Sequence, residues 1–190
     1  MAIVRIGLDI AKLVFQIHGV DGHGKAVLRK TVSRSEMLHY FAKLPVCLIG
    51  LEACAGAHYW ARELSRLGHD VGLIAAQFVT PYRKSGKNDA NDAEAICEAV
   101  GRPNMRFVPV KTEEAQAILT LHRARDLLVS ERIALSNQIR GLLGEFGIIV
   151  PTGMARLRRA MVDIETGVRS LPLLAKETIV ELYERMLKLD

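Results

Sequence analysis

Val46-Cys47-Leu48-Ile49-Gly50-Leu51 carries no polar side chain, and the run ends on a carboxylate, Glu52. A strand apolar at both odd and even positions must bury both faces, so the sheet that holds it needs a protein layer on either side. The flanking sequence supplies the rest of that sheet. Ile3 to Asp9, Leu13 to Val20 and Lys25 to Val32 are dense in strand signals, and Asp21-Gly22-His23-Gly24 makes a turn between the last two. These predict an antiparallel three-strand meander. Ser33-x-x-Glu36 has the spacing of a capping box, and Met37, Leu38, Phe41 and Leu44 follow at helical spacing up to Pro45. A helix is expected from about Ala57 to Leu67, ended by Gly68, and Val71 to Ala75 reads as a further short buried strand. The order β-β-β-α-β-α-β predicts one mixed sheet covered on both faces.

Beyond the loop of Lys84 to Asn88, a helix is expected from Asp89 to about Val100, stopped by Gly101-Arg102-Pro103. Thr112 to Phe146 reads as one long helix, because no Pro or Gly occurs before Gly141 and Leu121, Leu128, Leu135 and Leu142 recur every seven residues. Ile118, Ile139 and Phe146 hold companion positions, with Arg125 and Arg132 interrupting the seam. Shorter basic helices are expected after Pro151. The division predicted is 1–105, a catalytic domain; 106–150, a helical coiled-coil-like linker; and 151–190, a short helical segment.

With 190 residues and 49% hydrophobic content, the chain can build one ordinary core and a helical appendage. No apolar run approaches the ~20 residues of a membrane-spanning helix, and Arg5 interrupts the N-terminus before a signal-like segment forms. The expectation is a soluble cytoplasmic protein. Cys47, Cys54 and Cys97 form no C-x-x-C pair and sit in apolar segments, where reduced thiols are expected to pack as small hydrophobes. A net charge of +5 favours a polyanionic partner weakly; the excess is read as concentrated after residue 82, in Arg83, Lys84, Lys87 and the later arginines.

Two strands end on acids, Gly7-Leu8-Asp9 and Gly50-Leu51-Glu52. If those strands are neighbours, both carboxylates emerge at one sheet edge. Asp89 and Asp92, three apart at a helix start, share a helix face. They are also ordinary capping and dipole residues, whereas a carboxylate closing an apolar strand is hard to explain structurally. Four converging carboxylates repel unless cations bridge them, and oxygen ligands suit Mg²⁺ or Mn²⁺. Two such ions can activate an attacking oxygen and stabilise a leaving one in phosphodiester cleavage.

Gly7-Leu8-Asp9-Ile10-Ala11-Lys12, Leu51-Glu52-Ala53-Cys54-Ala55-Gly56 and Lys87-Asn88-Asp89-Ala90-Asn91-Asp92-Ala93-Glu94-Ala95-Ile96 resemble the three blocks of the DEDD transposases. That bacterial insertion-sequence family is related to the Piv DNA invertase and has an N-terminal domain similar to the RuvC junction resolvase. The resemblance covers about the first hundred residues and implies an RNase H-like (RuvC-like) fold. It also implies that Asp9, Glu52, Asp89 and Asp92 are the metal-binding, catalytic acids. In the family, a coiled-coil-like linker leads to a C-terminal domain bearing a nucleophilic serine, and a structured RNA from the element's own end guides the protein to DNA. The chain is expected to lack that second domain, as a truncated or naturally split product, so Ser130, Ser136 and Ser170 receive no catalytic role. Homo-oligomers through the long helix and a nucleoid-associated location are the matching expectations.

Lys12, Arg83, Lys84, Lys87, Arg125 and Arg132 are the candidate nucleic-acid contacts, weighed against ordinary solvated charges. Tyr59 and Trp60 are candidate base-stacking residues, though core or interface packing is the favoured reading of both. No histidines pair at metal-ligand spacing, and Ser85-Gly86-Lys87 lacks the upstream glycine of a P-loop. A sugar-kinase or actin-like ATPase begins with the same meander and terminal Asp, but its phosphate loop wants Gly, Ser or Thr where Ile10-Ala11-Lys12 stands. Two further rivals stay open: a junction-resolvase-type nuclease using the same acids hydrolytically, and a non-catalytic RNA-binding and dimerisation module.

Overall fold

The three opening strands form the expected meander: β1 (Arg5–Ile10), β2 (Val14–Val20) and β3 (Ala26–Ser33), paired antiparallel in sequence. The structure is a computed structural model describing residues 2–84 and 89–189. It divides into two units, Met1–Thr112 and Glu113–Asp190. In the first, the apolar run yields β4 (Leu48–Glu52), which lies parallel to β1 on one side and to β5 (Asp70–Ile74) on the other. A two-residue strand, β6 (Phe107–Val108), closes the edge antiparallel to β5, giving the order β3-β2-β1-β4-β5-β6. This mixed six-stranded sheet with flanking helices agrees with the RNase H-like expectation.

Helices cover both faces, as the run at Val46 demands. On one face, α1 (Met37–Phe41) and α2 (Ala57–Arg66) pack Met37, Phe41, Trp60, Ala61 and Leu64 against Ile6, Leu8, Ile49, Leu51 and Leu73. All of these are at most 4% exposed, and each large aliphatic side chain so buried contributes about 1.5–3 kcal/mol relative to exposure. The Ser33–Glu36 spacing does not make a capping box. The Ser33 hydroxyl donates to the Glu36 carboxylate instead of reaching a backbone N–H, and α1 is only five residues long. After β5 come two short elements without a sequence signal, α3 (Ala76–Val79) and a 3₁₀ turn at Thr80–Tyr82.

The other face belongs to α4 (Asp89–Val100), which lies across β1, β2 and β4. Gly7, Gly50 and Gly72 stand side by side in register on β1, β4 and β5. A Cβ on Gly7 would sit 2.1 Å from the Ala93 carbonyl oxygen, and one on Gly50 would sit 2.7 Å from the Val100 Cβ. The missing side chains therefore let α4 rest directly on the backbone of β1 and β4. A Gly72 Cβ would meet the Phe107 ring at 2.5 Å, so the third glycine seats β6 in the same way.

The second unit is helical. α5 (Glu113–Glu145) runs 33 residues, followed by α6 (Met154–Glu165) and α7 (Leu173–Leu187). Its core joins Ile139 and Leu143 of α5 to Leu157, Met161 and Ile164 of α6 and to Ile179 and Met186 of α7, with Leu135 and Leu142 packed against it. Leu121 and Leu128 are 70% and 46% exposed. The seven-residue leucine pattern thus splits, its last two members covered by the chain's own helices and its first two facing solvent. No helix among the described residues is long and apolar enough to cross a membrane.

Candidate functional site

Alternation along the strands decides where the acids go. Ile6 and Leu8 point into the α1–α2 core, so Gly7 and Asp9 face α4; Ile49 and Leu51 leave Gly50 and Glu52 on the same α4 face. Leu8 pairs with Leu51, and Asp9 and Glu52 are the next residues on these two parallel strands. Both carboxylates therefore leave the sheet at its carboxyl edge. The Cys54 thiol lies near both: partial desolvation pushes it up, and the negative charges of Glu52 and Asp9 push it further.

The close seating of α4 brings in Asp92, one residue before the Ala93 that touches Gly7. Arg83 joins the two elements. Its Nη2 donates to Glu52 Oε2 at 2.8 Å, and its Nε pairs with Asp92 Oδ1 at 2.9 Å. One guanidinium thus spans a strand-end carboxylate and a helix carboxylate, with side-chain exposures of 37% for Arg83, 22% for Glu52 and 15% for Asp92. Lys84 pairs with Glu94 at 2.6 Å, and this hydrogen bond holds the Glu94 carboxyl below the usual carboxylate range despite its partial burial. Asp89 begins α4, but its side chain lies outside the described residues, as does Lys87. Among the described residues, no three carboxylate, His or Cys side chains stand close enough to hold a metal ion as they are.

The row beside the acids is polar as well. Gln16 pairs with Asp9 across β1 and β2 and accepts a hydrogen bond from the Thr31 hydroxyl at 2.8 Å. His18 stands opposite Gly7, 5% exposed, and lines a cavity of about 190 Å³ with Gln16, Arg29, Asn91 and Glu94. Burial lowers its pKa below 6.5, opposed by Glu94 and assisted by Arg29 and Lys84. Sequence reading missed Gln16, His18, Arg29, Cys54 and Glu94. Strand alternation from Asp9 and Gly7 through an assumed β1–β2 register would have found the first two.

The remaining candidates fall in different places. Lys12 is exposed in the connection between β1 and β2, three residues beyond Asp9. Arg125 and Arg132 are on α5, exposed and half-buried respectively. Trp60 is 4% exposed and packs edge-to-face on Phe15 at 5.0 Å, which removes it as a base-stacking surface; Tyr59 is 42% exposed. Cys47 and Cys97 are buried as expected, the Cys47 thiol being pushed up to about 11 by burial. Cys54 is exposed, contrary to the reading of all three as packed hydrophobes.

A mixed sheet in the order 3-2-1-4-5 with acids at the carboxyl ends of its two central strands, and a third acid delivered by the helix behind them, defines an RNase H-like protein with a clustered acidic edge. The sequence profile of the IS110-type DEDD transposases, described as a transposase family, matches residues 6–148, so the chain belongs to that family. It is 50% identical over 192 residues to a Pseudomonas aeruginosa protein named "Probable family 20 transposase", covering 100% of this chain and 57% of the relative. It is 50% identical over 157 residues to the transposase for insertion sequence element IS1328 of Yersinia enterocolitica, covering 83% of this chain and 47% of that protein. The transposase for IS1111A of Coxiella burnetii is 42% identical over 181 residues, or 95% of this chain and 47% of its own length. The chain spans about half the length of the curated relatives it matches.

Proposed function

We propose that Met1–Thr112 carries the divalent-cation site of a DNA-cutting and DNA-joining transposase, built from Asp9, Glu52, Asp89 and Asp92. The observation that carries this reading is the pair of contacts from Arg83 to Glu52 and Asp92. Acids from a strand end and from a separate helix are gathered around a single positive charge, where a cation with oxygen ligands would sit. The donor set is all carboxylate, which fits Mg²⁺ or Mn²⁺ better than softer metals. When bound, such ions would polarise a phosphodiester and stabilise its attacking and leaving oxygens. Asp9 and Glu52 would hold them from the sheet, and Asp89 and Asp92 from the helix. Lys12, Arg83 and Lys84 border this edge or the approach to α4, and together with Lys87 they would position the phosphate backbone.

The remainder of the reading rests on family membership. It comprises a catalytic domain at 1–105, a coiled-coil-like linker at 106–150 that makes homo-oligomers, and a segment at 151–190 leading toward a serine-bearing domain. Guidance by a structured RNA, contacts from Arg125 and Arg132, and a place at the nucleoid belong to the same reading. A junction-resolvase-type nuclease would use the same edge with water as the nucleophile.

Thermal unfolding with and without Mn²⁺ tests the core of this proposal. At a hundredfold excess over Kd, a bound cation stabilises by about 2.7 kcal/mol, a rise of several degrees in melting temperature. Asp9→Ala should abolish the rise. An equal Mn²⁺ effect on both chains would place the cation elsewhere and end the proposal.

A further inference from the structure

We propose that Arg83 is the resident counter-cation of the acidic edge and passes from Glu52 and Asp92 to a strand phosphate when a divalent cation takes its place, so that cation and nucleic acid bind cooperatively. This rests on the reading above and adds a role for Arg83 that the acids alone do not imply.

The geometry is that of a competitor. Glu52 and Asp92 each give an oxygen to a different nitrogen of one guanidinium, at 2.8 and 2.9 Å. Arg83 takes one oxygen of each carboxylate on the side where the two acids converge, so a cation bridging them there competes for the same oxygens. Two converging carboxylates repel, and a guanidinium relieves that repulsion in the absence of metal. The contact is also poised to break. The Arg83 side chain is 37% exposed, and ion pairs that accessible are weak, whereas a divalent ion brings twice the charge into the same place.

The backbone favours a swing of the side chain alone. Arg83 follows the 3₁₀ turn at Thr80–Tyr82, whose Pro81 restricts the chain, and its own N–H donates to the Thr80 carbonyl at 3.1 Å. A guanidinium displaced from this anchor remains beside the acidic edge. Its planar fork matches phosphate oxygens, and a phosphate is what a cation-loaded edge would attract. Reciprocity then follows: if the cation frees Arg83 for a phosphate, the phosphate, by holding Arg83 away, must raise the cation's affinity by the same factor.

The test measures Mn²⁺ binding to the full chain by the EPR signal of free Mn²⁺, with and without a single-stranded oligothymidylate. The chains are wild type, Arg83→Gln, Arg83→Lys and Arg66→Gln. The last removes one positive charge at the far end of α2 and so controls for the general field. Arg83→Gln should bind Mn²⁺ about tenfold more tightly than wild type without the oligonucleotide, a change within the usual range of coupling. The oligonucleotide should tighten Mn²⁺ binding in wild type by a similar factor and in Arg83→Gln by much less. Arg83→Lys, which keeps the charge but loses the fork, should fall between them, and Arg66→Gln should behave as wild type. Unchanged or weaker Mn²⁺ binding in a folded Arg83→Gln would overturn the exchange while leaving the cation site standing. Failure of every chain to bind Mn²⁺ would remove both.

Discussion

Two glycines show how single atoms position this site. Gly7 and Gly50 supply no side chain where α4 crosses the sheet, and a methyl on Gly7 would have to occupy space 2.1 Å from a backbone oxygen. Backbone cannot yield as a flexible side chain does, so Gly7→Ala must lift α4 and with it Asp92. We expect a loss of about 3 kcal/mol in stability, together with loss of the Mn²⁺-dependent rise in melting temperature. Gly141 is the opposite case: it lies inside α5 with nothing within 4 Å of its would-be Cβ. Gly141→Ala should stabilise the chain by roughly 0.5–1 kcal/mol, because alanine restricts the unfolded backbone without meeting a neighbour. Chemical denaturation of both variants checks the pair; equal effects would mean that the approach of α4 to the sheet is not what glycine permits.

At the level of elements, α5 carries one leucine pattern with two fates. Leu135 and Leu142 pack against the core shared with α6 and α7, while Ile118, Leu121 and Leu128 remain exposed at 57%, 70% and 46%. Apolar side chains repeated along one helix stripe and left to solvent are what a second helix covers. Self-association through this helix should therefore reside in its first half. Leu121→Asp with Leu128→Asp should convert an oligomer to a monomer in light scattering without lowering stability. Leu135→Asp should instead destabilise the helical unit, by the cost of placing a charge against its core. A wild-type chain that is monomeric at high concentration would refute the self-association reading.

Charge becomes informative only across the whole chain. Glu113–Asp190 contains eleven Lys and Arg against eleven Asp and Glu, whereas Met1–Thr112 contains fifteen against ten. The excess expected after residue 82 therefore does not extend into the helical unit: the arginines of α5 and α6 are matched by acids, and the full net charge of +5 belongs to the unit with the acidic edge. Nucleic-acid affinity should fall linearly with salt on logarithmic axes, with each lost phosphate contact lowering the slope by about 0.7 to 0.9. Replacing Lys12 and Lys84 by Gln should flatten that slope more than replacing Arg125 and Arg132. A preference for the element's own end-derived RNA over scrambled RNA of equal length would add recognition to charge. Equal affinity for both would leave basicity alone.

Much of the sheet was legible because the relevant forces are local. Three strands with turn residues between them, an apolar run ending at Glu52 and a helix opening at Asp89 are written in side-chain period and in Gly, Pro and Asp placement. The capping spacing at Ser33 misled, since its hydroxyl found the Glu36 carboxylate in place of a backbone N–H. β6 was invisible, because two residues carry no period and their pairing with β5 depends on Phe107 fitting over Gly72. Sequence alone placed two acids at strand ends, Glu52 last in β4 and Asp9 one residue before the end of β1 at Ile10; it also made Asp9 and Glu52 share an edge, conditional on β1 and β4 being neighbours. Only the tertiary structure decided that Asp92 meets Glu52 through Arg83, and which half of the leucine stripe stays bare. Those outcomes join residues 31 positions apart, or helices that meet after a turn, and no local preference reports such distances.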